Sequence, residues 1–258
     1  HHALTRKRRR QNVARKIIIV GGGIAGLCAG VYARGCGYDV DLFEQHTAPG
    51  GLATSWRRGD YTFETCLHWF LGSARQGALG REWREVFDVD KLQFVYADEY
   101  QRVESEDGRS LRVFADVDRL EAEFVRQSPQ DAGEIRAFAS VIRRLAQFPI
   151  AEAGDPWPRR ALAMLRFLPR MPALQRWSVI SAAKYGERFK HDLIRRFFMD
   201  SPTAEMSVLG IVLMFAWMTA RNAGYPLGGA RAVIDPISER FYALGGKFCP
   251  SSKVDKIL

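Results

Sequence analysis

Gly21, Gly23 and Gly26 fall in the spacing G-x-G-x-x-G within KIIIVGGGIAGLCAG, and Glu44 follows eighteen residues after the last of them. Those residue types in that spacing suit a phosphate-bearing ligand. The first glycine allows a sharp turn, the second lets a pyrophosphate approach the backbone, and the third lets a helix pack closely on a strand. The N–H groups at the start of that helix, and the positive end of its dipole, face the phosphates. A carboxylate at Glu44 accepts hydrogen bonds from ribose hydroxyls and disfavours a 2′-phosphate. The pattern therefore points to a dinucleotide, and by itself it does not choose between NAD and FAD. His68 is a titratable side chain able to relay a proton. His191 lies in a basic stretch and is expected to be solvated. No Ser/His/Asp or paired-carboxylate constellation stands out. Cys28, Cys36, Cys66 and Cys249 are scattered without metal-ligand spacing, which predicts free thiols and no metal.

The motif needs a strand before it and a helix after it. Residues 16–20, KIIIV, form a short β-branched run that suits a strand buried on both faces of a parallel sheet. Ile24 to Arg34 reads as a helix rich in small residues, Gly35 to Gly37 ends it, and YDVDLFEQ supplies a second strand over 39–43. This is the size of one βαβ unit. From Phe94 to Ala115 the chain alternates about Asp107-Gly108, a hairpin signal. Asp116 can cap a helix to about Gln127. A further helix is predicted from near Asp131 to Gln147, with Ile135, Phe138, Ile142 and Leu145 on one face. Residues 150–225 are rich in Arg, aromatics, Met and Pro, and read as helices broken by prolines. After a glycine turn, an amphipathic helix leads to Gly245-Gly246 and a last strand expected near Lys253.

With 258 residues the chain can bury a sizeable core, and 47% hydrophobic with 26% charged residues is ordinary for a globular protein. Seven positive charges of the net +9 lie in the first sixteen residues, which hold no Asp or Glu. The body is nearly neutral, so no specific nucleic-acid partner is expected. Residues 1–15 read as a basic, solvated, disordered tail. The segment carries no apolar stretch of signal-peptide type. With free thiols, this points to a cytoplasmic location, membrane association being the open alternative.

Several segments extend the pattern by resemblance. APGGLATS, holding Gly50 and Gly51, resembles the second glycine doublet of FAD-containing oxidoreductases, whose backbone approaches the flavin side of the cofactor. Leu52 stands where that group usually carries Arg or Lys. GDYTFETCLHWFLG resembles the G-x-x-F-(D/E)-x-G-x-H segment of the phytoene desaturase and carotenoid isomerase-like flavoproteins, relatives of the amine oxidases. Gly59, Phe63, Glu64 and His68 fall on it, and Cys66 replaces a glycine. YPLGGARAVIDPISERFYALGG resembles the family's P-x-G-G segment and helix, and SSKVDKI its strand whose valine, here Val254, reaches the adenine. The resemblance implies an α/β protein: a Rossmann-like parallel-sheet FAD-binding domain with an inserted, largely helical substrate domain. Its expected parts are 16–90, a substrate domain over 91–225, and a return to the FAD domain over 226–258. The cofactor-binding residues so implied are Gly21, Gly23, Ile24, Ala25, Gly26, Glu44, Gln45, Gly50, Gly51, Leu52, Ala53 and Val254, with His68 the catalytic candidate. Family members continue beyond Leu258, so the chain is expected to be a fragment or a short form.

SVLGIVLMFAWMTA is too short to span a bilayer, which needs about twenty residues, and reads as a buried helix. Its other reading is a lid or tunnel wall for an apolar substrate, part of which dips into a membrane surface. The resemblance implies a polyene, isoprenoid or other lipid, handled by dehydrogenation, saturation or isomerisation through hydride exchange with flavin. Two alternatives are an amine-oxidase-type flavoenzyme and a truncated, non-catalytic dinucleotide-binding module.

Overall fold

The computed structural model describes residues 15–64, 66–74, 79–147, 155–168, 171–200 and 203–257. The basic tail over 1–14 lies outside them. In chain order the elements are β1 (Lys16–Val20), α1 (Ile24–Gly35), β2 (Asp39–Phe43), β3 (Ser55–Arg58), β4 (Tyr61–Glu64), β5 (Phe70–Leu71), α2 (Gly80–Val86), β6 (Phe94–Val95), β7 (Glu99–Glu104) and β8 (Ser110–Phe114). Then follow α3 (Val117–Gln127), α4 (Ala132–Ala146), α5 (Trp157–Phe167), α6 (Met171–Ser178), α7 (Ala182–Gly186), α8 (Asp192–Met199), α9 (Val208–Thr219), β9 (Ala223–Pro226), α10 (Gly229–Ala243) and β10 (Lys247–Cys249). They fall into two compact units. One holds residues 1–70, 81–95 and 225–258, the other 71–80 and 96–224.

The first unit is a Rossmann-like α/β layer. Its sheet has the order β1-β2-β10, all parallel, with Ile17 opposite Val40 and Phe248 opposite Leu42. α1 and α10 pack together, with Leu27, Val31, Val40, Leu42, Ile234, Ile237 and Phe241 in one apolar cluster. Close packing needs small residues here: a Cβ on Gly30 would lie 2.7 Å from the Phe241 ring. Two sequence expectations change. Ile18 and Val20 are 63% and 50% exposed, so β1 is not buried on both faces. Among the described residues it is the outer strand of its sheet, and its apolar cluster lies on the Ile17 and Ile19 side. The last strand is Lys247–Cys249, and residues 252–257 form no strand. Gly245, at φ +81°, turns the chain straight into the sheet, where Phe248 packs on the core; Pro250, lacking an N–H, then ends the ladder.

The second unit is a hairpin, β7 against β8, and a set of helices. The Asp107-Gly108 turn forms as expected, with Gly108 at φ +83°. Asp116 caps α3 through bonds to the N–H groups of Asp118 and Arg119. Ile135, Phe138 and Ile142 of α4 join Phe124, Tyr185, Phe198 and Phe215 in the core. No residue of α9 is exposed, which is the buried-helix reading of that apolar run. His191 overturns its expectation: its side chain is only 16% exposed, and Nδ1 is buried without a hydrogen bond. The cause is that Asp131 anchors the backbone N–H groups of Lys190 and His191, drawing the start of α8 into the core. Among the described residues no helix is long and apolar enough to cross a membrane.

Candidate functional site: a glycine-lined nucleotide cradle

The glycine turn joins β1 to α1. Gly21, at φ +99°, leaves the strand, and its N–H donates to the Phe43 carbonyl at 2.8 Å. A Cβ on Gly26 would overlap the Gly21 carbonyl oxygen, so the third glycine is required by helix–strand contact. Gly23 differs. Its φ of −70° suits any residue, and an added Cβ would come no closer than 3.9 Å to other protein atoms. Nothing among the described residues demands a glycine there, so the space in front of Gly23 is open to a ligand. α1 starts at this point with no side-chain cap and no acidic residue in its first turn. Its first N–H groups and the positive end of its dipole are left for an anion.

The second glycine pair closes one side of the cradle. Gly50 donates its N–H to the Gly22 carbonyl at 2.9 Å, and Gly23 and Gly50 form a parallel bridge. A Cβ on Gly51, at φ +58°, would stand 3.1 Å from the Gly23 Cα. Ala53 is buried and bonded to the Gly50 carbonyl, whereas Leu52 projects outward, 77% exposed.

Glu44 sits at the end of β2 and is 5% exposed. Its Oε2 accepts the Gly22 N–H at 2.6 Å, and Oε1 accepts the His46 N–H at 2.9 Å. Burial pushes its carboxyl up, but the backbone donors of His46 and Gly22 outweigh this and hold it below the usual range. A charged carboxylate has about four acceptor positions, so two such bonds leave capacity for ribose hydroxyls. The chain after β10 passes the same point: the Glu44 backbone N–H donates to the Cys249 carbonyl at 3.0 Å, and the Ser252 N–H donates to the Glu44 carbonyl at 2.8 Å. Val254, half-buried, follows two residues later, within about 7 Å of extended chain.

The structure thus brings together Gly21, Gly23, Ile24, Ala25 and Gly26 with Gly50, Gly51 and Ala53, and sets Glu44 beside Gly22. Gln45 is exposed next to Glu44. His68 lies on a turn after β4, exposed, its N–H bonded to the Cys66 carbonyl. Sequence reasoning missed the role of Glu64. Its Oε1 accepts the Ala230 N–H at 2.8 Å, and Oε2 accepts the Tyr225 hydroxyl at 3.1 Å. Gly228 and Gly229, at φ +88° and +64°, bring the start of α10 onto this carboxylate. The two motif segments containing Glu64 and the Gly228-Gly229 pair are therefore joined by a charged helix cap.

Residues 19–86 match the model of an NAD(P)-binding Rossmann-like domain. The chain is similar to the carotenoid 3,4-desaturase of Haloarcula japonica, 30% identical over 44% of this chain and 23% of that protein. It is also similar to the neurosporene-forming phytoene desaturase of Rhodobacter capsulatus, 22% identical over 94% of this chain and 47% of that protein. The chain spans less than half the length of either relative. The resemblance to the phytoene desaturase-like flavoproteins drawn from the sequence is borne out. Among solved structures, an oxidoreductase from Methanosarcina mazei aligns with TM-score 0.57 at 16% identity, over 94% of this chain and 53% of that one. Putrescine oxidase bound to putrescine gives 0.51 at 19%, over 93% and 51%. Rab GDI from Plasmodium falciparum gives 0.52 at 11%, over 95% and 60%. These likenesses establish a shared fold, and the fold is shared with a protein not described as an oxidoreductase.

Proposed function

We propose that this chain is an FAD-dependent oxidoreductase acting on an apolar substrate of polyene or isoprenoid type. The observation that carries the reading is the open space at Gly23, faced by the uncapped start of α1 and flanked by the Gly50-Gly51 turn and Glu44. A bound flavin supplies hydride exchange with the substrate. The protein's part is to hold and orient. The N–H groups at the start of α1 bind the pyrophosphate, and Gly23 lets it approach. Glu44 accepts the ribose hydroxyls, and its buried negative charge repels a 2′-phosphate, favouring FAD over NADP. The backbone near Val254 faces the adenine, and Gly50 to Ala53 line the flavin side. His68 is the residue proposed to relay a proton.

The apolar substrate rests on the two desaturase relatives and on the aromatic, Met-rich second unit. A substrate of this kind resides in a lipid phase, so the reading includes contact with a membrane surface. Titration with FAD, NAD and NADP tests the site. FAD should bind tightest, and preference for NADP would sink the proposal. Assay of the reconstituted protein with polyenes and with aliphatic diamines then separates the desaturase type from the amine-oxidase type.

A further inference from the structure

The stretch from Pro156 to Ser181 carries five arginines and no Asp or Glu, although the body of the chain is nearly neutral. Within it, α5 exposes large apolar side chains that the described residues of its own unit do not cover. Trp157 is 78% exposed, Met164 61%, Leu165 63% and Leu168 53%, with Leu162 also exposed. Trp157, Ala161, Leu165 and Leu168 stand at i, i+4, i+8 and i+11, one stripe of a helix. Leu162 widens the stripe on one side and Met164 on the other. Arg159 and Arg166 border it beyond Leu162, and Arg160 borders it beyond Met164, all three exposed; Arg159 also lies 3.9 Å from Asp155, just ahead of the helix. α6 continues the pattern with exposed Met171 and Arg176.

We propose that α5 is a surface-binding helix that lies in the headgroup layer of an anionic membrane. Charge decides the occupant. An apolar face covered by another protein surface has no need of guanidinium groups along both borders. A lipid interface does: the stripe enters the acyl boundary while arginines on either side reach phosphate headgroups. Eleven residues cannot cross the bilayer, which leaves the interfacial orientation. Trp157 at the helix start suits the headgroup level, where indole rings collect. The inference rests on the membrane contact proposed above and gives it a location.

The test is co-sedimentation of the full chain with phosphatidylcholine vesicles, with and without a phosphatidylglycerol fraction, at low and high salt. Binding should need the anionic lipid and fall with salt. Each of Arg159→Gln and Arg160→Gln should weaken it about fivefold, the effect of one basic residue near such a surface. Leu165→Glu should abolish it while circular dichroism stays unchanged, since Leu165 supports no core. Brominated lipid should quench the fluorescence that Trp157→Phe removes. Equal binding by wild type and these variants would overturn the proposal. So would self-association that Leu165→Glu abolishes with no vesicle binding by either form. FAD titration of the same samples keeps the two readings apart: vesicle binding without FAD binding supports the helix and sinks the cofactor, and the reverse sinks the helix alone.

Discussion

Gly23→Ala should weaken nucleotide binding and leave the fold intact, whereas Gly26→Ala should destabilise the fold itself. At Gly23 an added methyl stays 3.9 Å or more from protein atoms, and φ is −70°, so there is no clash and no backbone strain. Alanine is a poorer N-cap than glycine by a few tenths to about 1 kcal/mol. Restricting the unfolded chain returns about 0.4–1 kcal/mol. The two nearly cancel, and the midpoint of urea unfolding should move by less than the equivalent of about 0.5 kcal/mol. The methyl group, however, occupies the pyrophosphate approach. Losing one charge-assisted hydrogen bond costs about 1.5–3 kcal/mol, so FAD affinity should fall at least tenfold, read by quenching of flavin fluorescence. At Gly26 the methyl overlaps the Gly21 carbonyl oxygen and must displace β1 or α1, costing about 1–3 kcal/mol or more. Wild-type FAD affinity in Gly23→Ala would refute the cradle. Unfolding of Gly23→Ala as severe as that of Gly26→Ala would refute the claim that only the ligand needs this glycine.

Glu44→Ala should lower both stability and FAD affinity, by about 1–3 kcal/mol each, because it strands the buried Gly22 N–H and removes the ribose acceptor; urea unfolding and flavin titration measure the two. Since the folded carboxyl titrates below its ordinary value, its stabilisation is complete above the unfolded pKa of about 4.3 and is lost as pH falls through the lower folded value. Glu44→Gln should remove that part of the acid dependence, and an unchanged acid limb would contradict the assignment. Glu64→Ala should cost about 1 kcal/mol by uncapping α10, with Glu64→Gln recovering part of it, again by urea unfolding. Phe241→Ala should cost about 3–5 kcal/mol, since the ring is fully buried between α1 and the Gly246 turn, and calorimetry should show the loss as a lower Tm.

The parts legible in the sequence were those written in a few adjacent residues. β1, α1 and β2 follow from a β-branched run, glycine spacing and a second run, and the Asp116 cap follows from one side chain beside an amphipathic helix. What escaped depends on distant partners. Glu64 meets Ala230 across 166 residues, and nothing near Glu64 signals a helix start. The exposure of Ile18 and Val20 depends on which sheet face the helices cover, which their β-branched character does not encode. The last strand was displaced because Phe248 and Pro250 decided it, whereas the expectation followed Val254. His191 was misplaced because the charges around it suggested solvent, and the buried Asp131 that draws it inward lies sixty residues earlier.

Calorimetric titration of the purified chain with FAD, with ADP and NADP as competitors, tests the central claim most directly. The account predicts one FAD site, competed by ADP through the Gly21–Gly26 turn and Glu44, indifferent to NADP, and weakened at least tenfold in Gly23→Ala. A chain that takes up no FAD, or that binds NADP in preference, would contradict it.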